Sequence, residues 1–426
     1  MLGRTVQSQI YLKQNKPQDA VTVLQGLVKD EPNNALAHYF LGIAYQASGD
    51  AGQAQAEWRE SVRIDPKLLP PWRALAAIAA GKNDLDLLQT ASDAILKNEP
   101  NSPEGYILQA SLDVRKKDNA AAEKALQQAI KVAPNNPDAY NALAELRMQE
   151  RKMPEALALF EQALSAAPSA VTPMRGIVAI YMYQKQPDKA MARVKEQISK
   201  SPNTEAFYVI LAGLQASGKQ FDQAEATLNS VISHDANSGE AYLLLAQVDT
   251  AQGKTDQAIS VYQTYLQKNP KDIRAYLALG QLQEQKNNLA AAKQMYQKAL
   301  ELDPDSPLAN NNLAYLMVEQ NDNLDMAISM AQSARRRMPE NPQIADTLGY
   351  AYVKKGVYSS AVELLEEAVK NAPNSAPAHY HLGLAYEKSN NAAKAREQFL
   401  KASKLGPDSE EGKAAQKEVQ ALGGRG

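Results

Sequence analysis

Large apolar, small and polar residues return along this chain in one fixed order. Leu41-Gly42, Tyr45, Ala54 and Trp58 lead up to Pro66. The same places come back as Leu279-Gly280, Ala292, Tyr296, Ala299 and Pro304, then as Leu348-Gly349, Tyr352, Ala361, Leu365, Ala368 and Pro373. They come back once more as Leu382-Gly383, Tyr386, Ala395, Phe399, Ala402 and Pro407. The order predicts two helices per stretch, one on each side of a short turn. Gly42, Ala144, Ala246 and Gly349 fall where the two helices cross closely, and Ala54, Ala156, Ala258 and Ala395 answer them on the second helix. A larger side chain there would push the helices apart and lose packing. Gly49, Gly253 and Gly356 fall in the turn, where a left-handed backbone suits glycine.

Prolines set the period. They stand at 32, 66, 100, 134, 168 and 202, each 34 residues after the last; Ala236 takes the next slot, and the series resumes at 270 and 304. One extra residue then moves it to 339, 373 and 407. Polar pairs follow the prolines: Asn33-Asn34, Asn101-Ser102, Asn135-Asn136 and Asp305-Ser306 can cap the next helix. Pro103, Pro137 and Pro307 then take the first helical position, where a missing N–H costs nothing. The reading is a continuous array over residues 1–407, with repeats ending near 34, 68, 102, 136, 170, 204, 238, 272, 306, 341, 375 and 407. Residues 408–422 are expected to form a capping helix over the last repeat, and 423–426 to be a disordered tail. The first repeat has Gln7-Ser8 and no polar cap before it, so earlier sequence is expected.

This pattern resembles the tetratricopeptide repeat family over nearly the whole chain. Two repeats depart from it, the third with Leu88 in an alanine slot and the sixth with Ile177-Val178 in the Leu-Gly slot, and irregular packing is expected there. The resemblance implies an all-α fold, a right-handed superhelical solenoid of about twelve helix-turn-helix repeats. It also implies a concave groove lined by the first helix of each pair, where extended peptides or a partner's helix bind. Candidate groove residues are Asn141, Arg175, Arg274, Asn311, Tyr315, Asp346, Tyr350 and Tyr380. Asparagine can hold both groups of a peptide unit through one amide, and tyrosine adds area with a polar tip. Packing of the tyrosines between neighbouring helices is the competing reading. The lysine-asparagine clamp that some relatives use on chaperone tails is missing: its slots carry Asn141, Arg175, Leu243 and Leu277. The regular asparagine ladder of arrays attached to sugar transferases is missing too.

Charge and composition narrow the partners. A net charge of -2 over 426 residues argues against nucleic acid or anionic lipid, and Arg335-Arg336-Arg337 is too short a run to reverse that. With no cysteine, disulfides, thiolate metal sites and cysteine nucleophiles are excluded. No apolar stretch is long enough to cross a bilayer, and the N-terminus lacks a secretory layout, so the chain reads as cytoplasmic as written. A truncated N-terminus would make it periplasmic or outer-membrane-associated instead.

Chemistry is sparse. Gly253-Lys254-Thr255 echoes a phosphate loop, but Val248 stands where a glycine is needed. His379 and His381 are two apart on a helix and point to different faces, against a metal site. Glu366-Glu367 and Glu410-Glu411 read as solvated helix faces. The chain is therefore read as non-catalytic and cofactor-free, a scaffold for protein or peptide partners. The last three repeats are similar to the C-terminal part of large bacterial lipoproteins linked to exopolysaccharide production or envelope protein sorting. A cytoplasmic adaptor, or the arm of a larger enzyme, are the alternatives.

Overall fold

The computed structural model describes residues 2–423, and among them the regular structure is helical throughout, with twenty-five helices. The chain divides into two compact halves between residues 214 and 215, within the Glu205–Ser217 helix. In the N-terminal half, Ala35–Ala47 packs on Ala51–Ile64 and Pro137–Gln149 on Met153–Ala166. In the C-terminal half the pairs are Ile273–Gln285 with Leu289–Leu302, Pro307–Glu319 with Leu324–Arg337, Pro342–Lys355 with Tyr358–Asn371, and Ala376–Lys388 with Ala392–Leu405. Turns of a few residues make each pair an antiparallel hairpin. First helices also stack on the next first helix, so Pro307–Glu319, Pro342–Lys355 and Ala376–Lys388 lie side by side.

The small residues act where the repeat pattern puts them. A Cβ added at Gly42 would lie 2.3 Å from Trp58 Nε1, and one at Gly280 2.4 Å from Tyr296 Cε1. At Gly349 it would lie 2.6 Å from Leu365 Cγ, and at Gly383 2.5 Å from Phe399 Cδ1. Each large side chain is buried against the bare backbone of the partner helix. Burying a ring or branched chain this way stabilises by roughly 1.5–3 kcal/mol. The sixth repeat differs as its sequence suggests. Val178 is only half-buried, and the close approach moves to Gly176, whose added Cβ would sit 2.4 Å from Phe160 Cζ on the preceding pair. In the third repeat Leu88 is fully buried in the alanine slot, and the first helix runs on to Lys82 before a two-residue turn at Asn83-Asp84.

Two regularities lie deeper than the residue pattern. The turn position is left-handed at Gly49, Gly253 and Gly356, and equally at Asn83, Lys117, Arg151, Lys185, Lys219, Asn287, Asn321 and Asn390. The proline carbonyl that ends each repeat is also an acceptor that needs a donor. In several repeats a side chain six residues later supplies one: Trp72 Nε1 donates to Pro66 O at 3.0 Å, Tyr106 OH to Pro100 O at 3.0 Å, and Asn310 Nδ2 to Pro304 O at 3.0 Å. His38 and His379 do the same through Nε2 to Pro32 and Pro373. In the sixth repeat Met174 stands at that place and cannot donate, so Gln197 and Ser201 reach Pro168 O from the second helix.

Caps follow the expected polar pairs with one correction. Asn34, Ser102 and Asn136 each accept a backbone N–H of the helix that follows. Ser306 makes no such bond; its carbonyl is held instead by Asn310 Nδ2 at 3.0 Å. Beyond the last pair, the Glu410–Gly423 helix packs on both Ala392–Leu405 and Ala376–Lys388, with Ala415 fully buried. From residue 424 the expected disordered tail lies outside the described residues.

Candidate functional site: a polar cavity on the first helices of the C-terminal half

Four consecutive first helices, from Ile273–Gln285 to Ala376–Lys388, share a cavity of about 340 Å³. Helical spacing explains its composition. Leu277, Gln281 and Glu284 rise at steps of four and three from one helix, and Leu308, Asn311, Asn312 and Tyr315 from the next. Asp346 and Thr347 contribute from the third. Three of the candidate residues, Asn311, Tyr315 and Asp346, therefore meet in one place.

The electrostatics are uneven. Asn311 is only 7% exposed, yet its Oδ1 has no hydrogen-bond partner. Its Nδ2 reaches only Asn312 Oδ1, at 3.4 Å. A buried carbonyl without a donor costs on the order of 1–3 kcal/mol, so this oxygen is an unsatisfied acceptor on a residue that lines the cavity. Burial pushes the Glu284 carboxyl up from its ordinary value, and the Tyr296 hydroxyl that donates to it pulls the other way. The same carboxylate and burial drive the Tyr296 phenol far above its usual range, with burial the larger cause.

Tyr350 and Tyr380 meet around a residue that sequence reasoning considered only for metal. His381 is 1% exposed and stacks on Tyr350, with ring centroids 3.8 Å apart and an interplanar angle of 12°. Tyr315 and Tyr380 approach the same imidazole obliquely at 6.5 and 5.8 Å. Its Nδ1 donates to Asp346 Oδ1 at 2.9 Å, which orients the carboxylate beside the cavity. Burial, then the charge of Glu319, raises the Tyr315 and Tyr350 phenols well past their usual range. Tyr350 is buried and packs; Tyr315 and Tyr380 are half-buried. Offset and tilted ring contacts of this kind contribute about 0.5–1.5 kcal/mol each beyond burial.

The remaining candidates lie apart from this cavity. Arg274 is exposed at the start of its helix, with Nη2 2.9 Å from Asp272 Oδ2. Tyr265 donates to the same carboxylate, and its phenol is pushed up to about 12 by burial first and then by that bond. In the N-terminal half, Asn141 donates to Glu145 at 3.0 Å and its buried Oδ1 has no partner, while Arg175 is exposed on the Val171–Tyr183 helix. Gln281 and Glu284 hold groove positions in the sequence pattern and do line the cavity, whereas His381 was not singled out for it. For His381, the available signal was its place directly after Tyr380 on a first helix. His379 points elsewhere, to Gln398 and Pro373, and among the described residues no group of three or more His, Asp or Glu side chains could hold a metal ion.

Stacked hairpins with a polar hollow along their first helices define a helical-repeat protein of the kind that offers a recognition surface. Family models described as tetratricopeptide repeat match residues 11–79, 107–171, 181–248, 249–310, 295–329 and 347–410. The chain belongs to the tetratricopeptide repeat family. No curated protein matches the sequence. Among solved structures, the Cut9-Hcn1 hetero-tetramer of the APC/C is similar in fold, with a TM-score of 0.50 at 15% identity over 97% of this chain and 95% of that one. A tetratricopeptide repeat protein from Parabacteroides merdae aligns at TM-score 0.46 and 19% identity over 59% of this chain and 98% of its own. Yeast Tom70 aligns at 0.41 and 15% over 100% and 96%. The family and the first of these similarities make the chain an all-α superhelical solenoid, the fold of protein-interaction scaffolds. Among the described residues no helix is long and apolar enough to cross a membrane.

Proposed function

We propose that this chain is a non-catalytic scaffold that holds an extended segment of a partner protein along the first helices of its C-terminal half. The observation that carries the reading is the open, buried Oδ1 of Asn311 in a cavity bordered by four consecutive first helices. A peptide N–H satisfies such an oxygen directly, and a stack of helices about 9 Å apart matches an extended chain of about eight to ten residues. Tyr315 offers a half-buried ring in the same lining, and Tyr380, also half-buried, stands against His381. Asn141, Arg175 and Arg274 are proposed as secondary contacts on their own repeats. The sequence texture of the last three repeats supports a bacterial envelope or polymer-export setting for the partner, and it alone supports that.

The test is site-specific photo-crosslinking in the source cells. A photoreactive phenylalanine goes in turn at Gln281 and Gln343, both exposed at the cavity, and at Glu363, exposed on a second helix. A shared partner captured at Gln281 and Gln343 and not at Glu363 is expected. Capture only from Glu363 would move the binding surface to the second helices, and no capture from any site would sink the scaffold reading.

A further inference from the structure

The cavity is polar in one sense only. Its charged lining residues are Glu284 and Asp346, and both are acids. Asn311, only 7% exposed, adds a carbonyl oxygen without a hydrogen-bond partner. The hydroxyl of Thr347 donates back to Gln343 O at 3.0 Å, and is therefore committed to its own helix. Asp346 has one oxygen on His381 and leaves the other for a second donor. Negative charge continues past the rim, where Glu319 and Glu411 both act on the Tyr315 hydroxyl. Lys354, on the same helix as Asp346, places its Nζ 5.1 Å over the Tyr350 ring and does not line the cavity.

Resting on the scaffold reading above, we propose that this cavity is a subsite for a basic side chain, a lysine ammonium or an arginine guanidinium, carried by the extended partner segment. Such a group brings several donors and no acceptor, the complement of two carboxylates and an open carbonyl. Burial already disfavours the charged form of Glu284, so an arriving cation restores what solvent no longer supplies. An acidic or amide side chain would leave Glu284 and Asp346 uncompensated or place like charge beside them. The partner is thus a protein with an exposed basic stretch, and like-charge repulsion from Glu284 and Asp346 disfavours an acidic segment at this subsite.

The experiment uses the full chain and three acetylated, amidated peptides of about ten residues, the length the four helices accommodate. They alternate serine with lysine, with glutamine or with glutamate, and binding is followed by calorimetry at two salt concentrations. The lysine peptide is expected to bind at least about tenfold more tightly than the other two. Glu284→Gln keeps an acceptor for Tyr296, Asp346→Asn keeps one for His381, and each is expected to abolish the preference at unchanged helicity. Glu363→Gln, removing an acid from the opposite helix of a pair, is expected to leave it intact. Equal binding of the glutamine peptide would overturn the cation subsite and leave the scaffold reading standing. A lysine preference that survives both cavity variants would overturn it as well, by assigning the preference to diffuse surface charge. Binding of none of the peptides would overturn subsite and groove together.

Discussion

Arg147 and His381 are both buried on first helices, one in each half, and their surroundings are opposite. Arg147, 8% exposed, is enclosed by carboxylates: Glu123 takes two of its guanidinium nitrogens, Glu150 lies 2.8 Å away and Glu155 2.9 Å. Every nitrogen of the fork has a partner, so the cluster is closed upon itself. His381 is enclosed by rings and touches one carboxylate, and the acceptors next to it remain available to the cavity. The difference separates two uses of buried polarity. A saturated ion cluster joins neighbouring helices and presents nothing outward, whereas an aromatic support leaves adjacent acids and amides free to meet a ligand.

The strongest way to break this comparison is to open the closed cluster. Arg147→Met keeps the apolar stem and strips Glu123 and Glu155 of their buried guanidinium partner, leaving Lys152, 3.1 Å from Glu150, to offset part of the acidic charge. Removing one member of a buried ion cluster costs about 3–5 kcal/mol, and the partial exposure of these acids brings the expectation to about 2–3 kcal/mol. Hydrogen exchange should show the loss in the helices around Glu123 and Glu155, with lysine-peptide binding in the C-terminal half unchanged. Acidification sharpens the test. Hydrogen bonding to Arg147 holds Glu123 below its ordinary value, so its contribution is full above the unfolded carboxylate pKa and is lost as pH falls through the folded one. The wild type should lose protection there on acidification and the variant should lose less. Equal protection of both proteins at neutral pH would mean the cluster is structurally idle.

Gly349→Leu works on the other half. The bare backbone of Gly349 faces Leu365, and an added Cβ alone would come within 2.6 Å of its Cγ. Overpacking of about 1–3 kcal/mol is expected, read as a lowered unfolding transition of the C-terminal half. Because Asp346 is on the same helix, the lysine-peptide preference should fall with it. An unchanged transition would show that the pairing of Gly349 with Leu365 is wrong.

The repeat frame was legible because its determinants are residue types. Proline at a fixed period, glycine or alanine opposite Trp58, Tyr296 or Phe399, and Asn34 or Asn136 before a helix each allow little substitution for steric or capping reasons. Asn311, Tyr315 and Asp346 were legible for the same reason: the frame places them at groove positions of two successive first helices. What sequence reasoning missed depends on function being kept while identity changes. The donor to the proline carbonyl is a histidine, a tryptophan, a tyrosine or an asparagine in different repeats, and no residue pattern reveals it. His381 belongs to the same class, since its role comes from rings on two neighbouring first helices.

The left-handed turn extends that contrast to the smallest effect. In the C-terminal half the position is mostly glycine or asparagine, at 253, 287, 321, 356 and 390, with Lys219 the exception; in the middle of the N-terminal half it is Lys117, Arg151 and Lys185. A long side chain in this region costs about 1–2 kcal/mol, and asparagine less because its short polar chain tolerates the conformation. Glycine removes that strain but adds about 0.5–1 kcal/mol of unfolded-state entropy. Lys117→Gly and Lys185→Gly should therefore stabilise their repeats by about 0.5 kcal/mol each, seen as slower hydrogen exchange across the adjoining hairpin. Asn287→Gly and Asn321→Gly should change little, because asparagine has already relieved most of the strain. If the four variants behave alike, the turn imposes no strain that distinguishes the halves, and the contrast between them rests on their buried polar centres alone.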